Sequence, residues 1–94
     1  MKFSEDFKFL SLQAVKRKNA EELKDTEKFF YIINLLDKEN NPVKFYSFDN
    51  EINSQLVKSI NTQELKGLQD CLVHFELVFS NNNWNVRFIN IEYV

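Results

Sequence analysis

The stretch that decides the fold is residues 71–94, CLVHFELVFSNNNWNVRFINIEYV: an alternating run, three asparagines, and a second apolar run. In the first run Cys71, Val73, Phe75, Leu77 and Phe79 share one parity, and His74, Glu76 and Ser80 the other, with Leu72 and Val78 as apolar exceptions. A period of two marks a strand with one covered face. Asn81, Asn82 and Asn83 read as the loop, because asparagine tolerates left-handed backbone angles. In the return strand Trp84, Val86 and Phe88 alternate, and then the apolar set changes phase to Ile89, Ile91 and Tyr93. That change predicts a bulge or sharp coil at Phe88-Ile89, the device by which a strand turns a corner in a small barrel.

Upstream of this hairpin the period changes to that of a helix. In NEINSQLVKSI the apolar residues Ile52, Leu56, Val57 and Ile60 fall on one helical face, with Asp49 or Asn50 as the cap and Glu51 near the positive end. Gly67 is expected to mark a tight bend, with residues 62–68 as the place for a second short helix. Before the helix, KFFYIINLLD and VKFYSFD flank the turn KENNP and form a hairpin. Both parities of the first of these strands are apolar: Phe29, Tyr31, Ile33 and Leu35 against Phe30, Ile32 and Leu36. Such a strand is either covered on both faces or bent. A further strand is expected over residues 7–18, where a helix through residues 12–23 is the rival, and residues 19–27 read as a loop with room for one helical turn.

The element order is therefore β-β-β-α-β-β. Five strands with a helix between the third and fourth fit a mainly β, five-stranded, OB-like Greek-key barrel. The alternative is an α+β antiparallel sheet packed on one helix.

Length and composition agree with one domain, 1–94, and with a globular chain: 94 residues, of which 44% are hydrophobic. One glycine and one proline leave no material for a Gly-rich phosphate loop or a polyproline ligand. A net charge of −2 is unlike that of a general duplex-coating protein, although a local patch matters more than the total. A single cysteine, no long apolar segment and no leader pattern suggest a reducing, cytoplasmic setting with no membrane partner.

Catalysis has little to work with. His74 is the only histidine; Glu76 is its neighbour in parity, and Cys71 lies on the opposite parity. A hydrolytic site needs a nucleophile and oxyanion donors beside its base, and one histidine with one cysteine cannot hold structural zinc. The expectation is a non-enzyme with no cofactor and no metal.

Nucleic acid has a better case. Lys16, Arg17 and Lys18 form the one concentrated basic run, and Lys44, Tyr46 and Phe48 share the parity opposite to Val43 and Phe45. With Tyr31 and Arg87 these are the candidate binding residues, since single-strand binders combine cations for the phosphates with rings that stack on bases. Phe45, Phe75, Phe79 and Phe88 are expected in the core, and Phe48 has the competing possibility of packing under the helix. The alternative function is a protein–protein adaptor module. A homodimer through an unpaired strand edge is a third possibility.

In layout, EKFFYIINLLDKENNPVKFYSFD, INSQLVKSI and CLVHFELVFSNNNWNVRFINIEYV resemble the small OB-fold accessory proteins of bacterial mobile elements and phages, of the single-stranded-DNA-binding and helicase-processivity type. The resemblance implies binding of single-stranded DNA, or RNA, through the second and third strands, with Tyr31, Lys44, Tyr46 and Phe48 on the binding surface. It also implies a replication or transfer helicase as partner. The near-neutral charge makes the expected binding weak and salt-sensitive.

Overall fold

The computed structural model describes residues 1–93, the side chain of Thr26 excepted. Its elements are β1 (Lys2–Lys16), two single 3₁₀ turns (Ala20–Glu22 and Asp25–Glu27), β2 (Phe29–Leu36), β3 (Pro42–Ser47), α1 (Asn50–Asn61), β4 (Asp70–Ser80) and β5 (Asn83–Tyr93). This is the expected order. The first strand, however, starts at Lys2 rather than at residue 7, and the helical reading of residues 12–23 survives only as the 3₁₀ turn at Ala20–Glu22. Phe3 explains the longer strand: its ring stacks on that of Phe75, with centroids 5.5 Å apart, so the N-terminal residues have a partner on β4 that local pattern does not reveal.

All five strands lie in one antiparallel sheet of order β3-β2-β1-β4-β5. β1 is its centre and serves two neighbours with different halves. Residues 2–8 pair with β4, and residues 8–16 pair with β2. Leu10 is the extra residue at the change of direction: Phe9 lies opposite Leu35 and Ser11 opposite Asn34. A bulge of this kind bends its strand and raises the local twist. Because one residue is inserted, the inward parity changes from Phe7 and Phe9 to Leu12 and Ala14.

β5 contains the second bulge. His74 pairs with Asn90 and Phe75 with Phe88, which leaves Ile89 as the extra residue at the position where the phase change predicts it.

The sheet is open. Among the described residues no hydrogen-bonded ladder joins β3 to β5, so the closed cylinder expected from the sequence is not reached in its hydrogen bonding. The two end strands nevertheless approach each other, and the rings of Phe45 and Phe88 lie 6.2 Å apart.

The core sits inside this curled sheet and under the helix. It is built from Phe7, Phe9, Ile33, Leu35, Phe45, Cys71, Val73, Phe88 and Ile91 on strands, Leu56 on α1, and Leu65 from the segment after it. Ile33, Leu35 and Val73 are fully buried. Each contributes about 1.5–3 kcal/mol relative to an exposed position. α1 begins where expected: the Asp49 side chain accepts hydrogen bonds from the N–H groups of Glu51 and Ile52, at 3.0 and 3.1 Å. Its far end is tied to β5 by a hydrogen bond between the Ser59 and Tyr93 hydroxyls.

Asparagine supplies the tight turns. Asn81 and Asn82 both have positive φ, 51° and 63°, and Asn83 already pairs with Ser80, so the final hairpin closes on a two-residue loop. Positive φ at both central positions matches the strand twist of a hairpin. Asn40, with φ 63°, serves the β2–β3 turn, where the Asp37 carboxylate accepts from the N–H groups of Glu39 and Asn41.

Residues 62–69 form turns rather than a second helix, and the bend at Gly67 takes an unexpected form. Left-handed angles fall on Gln63 and on Leu68 (φ 66°), whereas Gly67 keeps an ordinary φ. Leu68 is 66% exposed, so its side chain does little to offset the cost of that conformation, about 1–2 kcal/mol. A Cβ at Gly67 would meet the Leu10 carbonyl oxygen at 3.6 Å, an ordinary contact. Leu68→Gly is therefore expected to raise the thermal midpoint by a few degrees, despite the added freedom of the unfolded chain, while Gly67→Ala leaves it unchanged or raises it slightly. Differential scanning calorimetry of the two variants checks this; a lower midpoint for Leu68→Gly would contradict the assignment of strain to residue 68.

Candidate functional site

The outward face of the sheet around β2 and β3 is set by the turn between them. With Leu36 opposite Pro42, the register places Asn34 against Lys44, Ile32 against Tyr46, and Phe30 beside Phe48 just past the end of the ladder. Pairing of β1 adds Ser11, Gln13 and Val15 to the same three columns. Phe45, between Lys44 and Tyr46, points inward and is buried. The lysine-bearing face of β3 is thus the outer one, as the alternation predicts.

On this face lies a row of rings. Phe30 and Phe48 have centroids 4.9 Å apart, and Tyr46 and Phe48 6.5 Å. Tyr46 is 53% exposed and Phe48 57%, so Phe48 does not pack under the helix. Adjacent rings left in water make this face a candidate interaction surface.

Arg17 borders the row. Its Nη2 donates to the Phe48 carbonyl oxygen at 2.7 Å and to Asn50 Oδ1 at 3.3 Å, and its own N–H donates to the Lys28 carbonyl at 2.8 Å. These side-chain acceptors are neutral, its Nε is buried without a partner, and among the described residues no carboxylate reaches it within ion-pair distance. A half-buried guanidinium without an anion is electrostatically incomplete. Lys44 is exposed one column away, beside Asn34, whose amide donates to Ser11 Oγ at 3.2 Å.

None of the side chains in these columns is acidic. Glu5, Asp6, Asp37 and Glu39 gather at the opposite end of the strands. Asp49, which adjoins Phe48, is engaged as the helix cap.

The other candidates are distributed differently. Lys16 lies on the parity opposite to Arg17, and Lys18 is exposed in the loop that follows. Tyr31 has inward parity; it lines a cavity of about 400 Å³ between β2 and α1, with Phe29, Asn53 and Val57. Arg87 lies in a groove of about 440 Å³ between β3 and β5, next to Tyr46 and Phe48, with Nη1 3.2 Å from Glu76 Oε1. The structure therefore groups Arg17, Lys44, Tyr46, Phe48 and Arg87, and sets Tyr31 apart. Phe30 and Ile32 join the group without having been singled out. Their signal was present in the hairpin: once the KENNP turn fixes Leu36 opposite Pro42, every outward residue of β2 follows.

His74 and Glu76 do not form the pair suggested by their parity. His74 Nδ1 is 2.7 Å from Ser4 Oγ, and its Nε2 is 3.1 Å from Glu92 Oε2, while Glu76 takes Arg87. Ser4 lies directly across from His74 on β1, and cross-strand neighbours approach more closely than residues two apart on one strand. Phe79, expected in the core, is 58% exposed: it has the inward parity, but the hairpin runs past the end of the core at that point.

No family model, curated protein or solved structure matches this chain.

Cys71 is buried on the inner face, its Sγ 3.5 Å from the Phe7 carbonyl oxygen. Burial first, and then the charges of Asp70 and Asp6, push its thiol from 9.0 up to about 11. The folded state thus favours the neutral thiol. The associated stability is complete below pH 9 and is lost as pH rises toward 11. Thiol titration with a disulfide reagent at neutral pH is expected to find Cys71 unreactive until denaturant is added. Rapid modification of the folded protein would contradict this environment.

Proposed function

We propose that this chain is an OB-like, partly open barrel that binds single-stranded nucleic acid, without catalysis, on the outward face of β1, β2 and β3. Three features support the barrel reading: β1 is shared between β2 and β4, the helix lies between β3 and β4, and the two end strands approach through Phe45 and Phe88. Greek-key barrels of this type use the second and third strands for oligonucleotides.

The observation that carries the function is the outward row Phe30–Phe48–Tyr46, flanked by Arg17 and Lys44 and free of carboxylates in its columns. Ring faces accept any base, and the flanking cations meet the phosphates on either side. Arg17 is the stronger electrostatic contributor, because its guanidinium is already held in place by the Phe48 carbonyl and Asn50 and lacks an anion. An accessory role beside a replication or transfer helicase follows from the resemblance in layout. DNA is the favoured strand, with RNA as the alternative.

Fluorescence anisotropy with a labelled oligo-dT, followed over a salt series, tests the reading. Phe48→Ala and Tyr46→Ala are each expected to weaken binding by ~5- to 150-fold, the equivalent of ~1–3 kcal/mol per stacked base. Arg17→Ala should reduce the slope of log K against log salt by about 0.7, one phosphate's worth on a single strand. Tyr31→Phe, on the inner side, should leave affinity unchanged. No binding at low salt, or binding indifferent to the ring substitutions, refutes the proposal.

A further inference from the structure

The cavity between β2 and α1 has walls of two kinds. On the strand side are Phe29 and Tyr31, two residues apart and of the same parity. On the helix side are Asn53 and Val57, four residues apart and so on one helical face. The charged residues of the lining, Asp25 and Lys58, are exposed, and Asp25 is already paired with Lys28 at 3.1 Å. A volume of about 400 Å³ falls in the range of small-molecule sites.

Asn53 sets this cavity apart. It is 3% exposed, the most deeply buried of the lining residues, and neither its Oδ1 nor its Nδ2 has a hydrogen-bond partner. Among the described residues the other buried polar side chain is Ser47, directly across from Tyr31 on β3, and its Oγ is likewise unpartnered. A buried amide with neither bond made carries a cost that an apolar side chain of the same size would not. No hydrogen bond holds this amide where it is, so turning it about its own side-chain bonds into the cavity that the residue lines breaks none.

We infer that the cavity is a binding site for a free nucleobase or nucleoside, recognised through the cyclic amide of its ring. An asparagine amide offers a donor and an acceptor side by side. Its complement is a neutral group with an acceptor next to a donor, which uracil and guanine carry as a ring carbonyl beside an N–H. Nδ2 donates to that carbonyl and Oδ1 accepts from the N–H, so both unmet atoms of Asn53 are satisfied at once. Phe29 and Tyr31 supply an aromatic wall for a flat ring, and Val57 lines the helix side. The charged lining residues are exposed, so the buried end of the cavity is neutral and selects an uncharged ring rather than an ion. The site uses the inner side of β2, apart from the outward ring row, and does not rest on the nucleic-acid reading.

Uridine and guanosine are the probes, each titrated into isotope-labelled protein and followed by NMR at the Asn53 side-chain amide. At least one of them is expected to move that signal saturably. Its ring-methylated form, 3-methyluridine or 1-methylguanosine, lacks the N–H and should bind about tenfold more weakly, the loss of one hydrogen bond. Asn53→Leu should abolish saturable binding while the thermal midpoint holds or rises, because leucine occupies similar volume without an unmet polar pair. Val57→Phe narrows the cavity from the helix side, keeps the amide, and should also weaken binding about tenfold or more. Oligo-dT at the same concentration of bases should leave the Asn53 signal in place, which separates a free base from a base of the strand on the outer face. The inference is overturned if neither nucleoside moves the signal, if ring methylation or Asn53→Leu leaves affinity unchanged, or if oligo-dT alone moves it. None of these outcomes bears on how oligo-dT responds to the ring-row substitutions, so the two proposals fail separately.

Discussion

Everything in this fold depends on one inserted residue, Leu10, in the middle of the first strand. Without it a fifteen-residue strand would keep one face inward along its whole length and lack the local bend that a bulge supplies. With it, the inward parity changes between Phe9 and Leu12, and the strand serves β4 with its first half and β2 with its second. The bend is held by backbone hydrogen bonds from the turn before β4: Phe9 donates to the Gln69 carbonyl at 2.9 Å, and Leu68 donates to the Phe9 carbonyl at 2.6 Å. That turn is where a leucine rather than the neighbouring glycine takes the left-handed angle. The left-handed conformation at Leu68 and the bend in β1 are thus two parts of one local arrangement.

From this bend follow two exposed surfaces. Curling brings the free edges of β3 and β5 toward each other, and Phe45 and Phe88 pack beneath that opening from the inside. The outer side of the curl carries the ring row, in which Tyr46 and Phe48 are exposed because strict alternation sends them away from the core that Phe45 enters. Arg17 lies at the rim, since its strand ends there and its loop returns to β2. The curl also leaves the hairpin of β4 and β5 longer than the core it covers. Its apolar alternation continues after the interior has run out, so Phe79 and Trp84 emerge into solvent as a pair.

Net charge says little about such a molecule. Acidic residues slightly outnumber basic ones, but the acids are concentrated at the Asp37 turn, in the loop after β1 and at the helix start. The outward columns carry none. Local sign rather than total charge is the relevant quantity for an extended polyanion, and local sign depends on register.

Period and turn chemistry alone determined the element order, the closing hairpin, the bulge near Phe88, the Asp49 cap and the outward face of β3, because each rests on residues within a few positions of one another. Tertiary structure decided the rest. The length of β1 depends on Phe75, more than seventy positions away. The partners of His74 come from β1 and β5. The exposure of Phe79 reflects where the core ends, a property of volume filled by distant side chains. Alternation tells which way a side chain points, and only the packed chain tells whether anything is there to cover it.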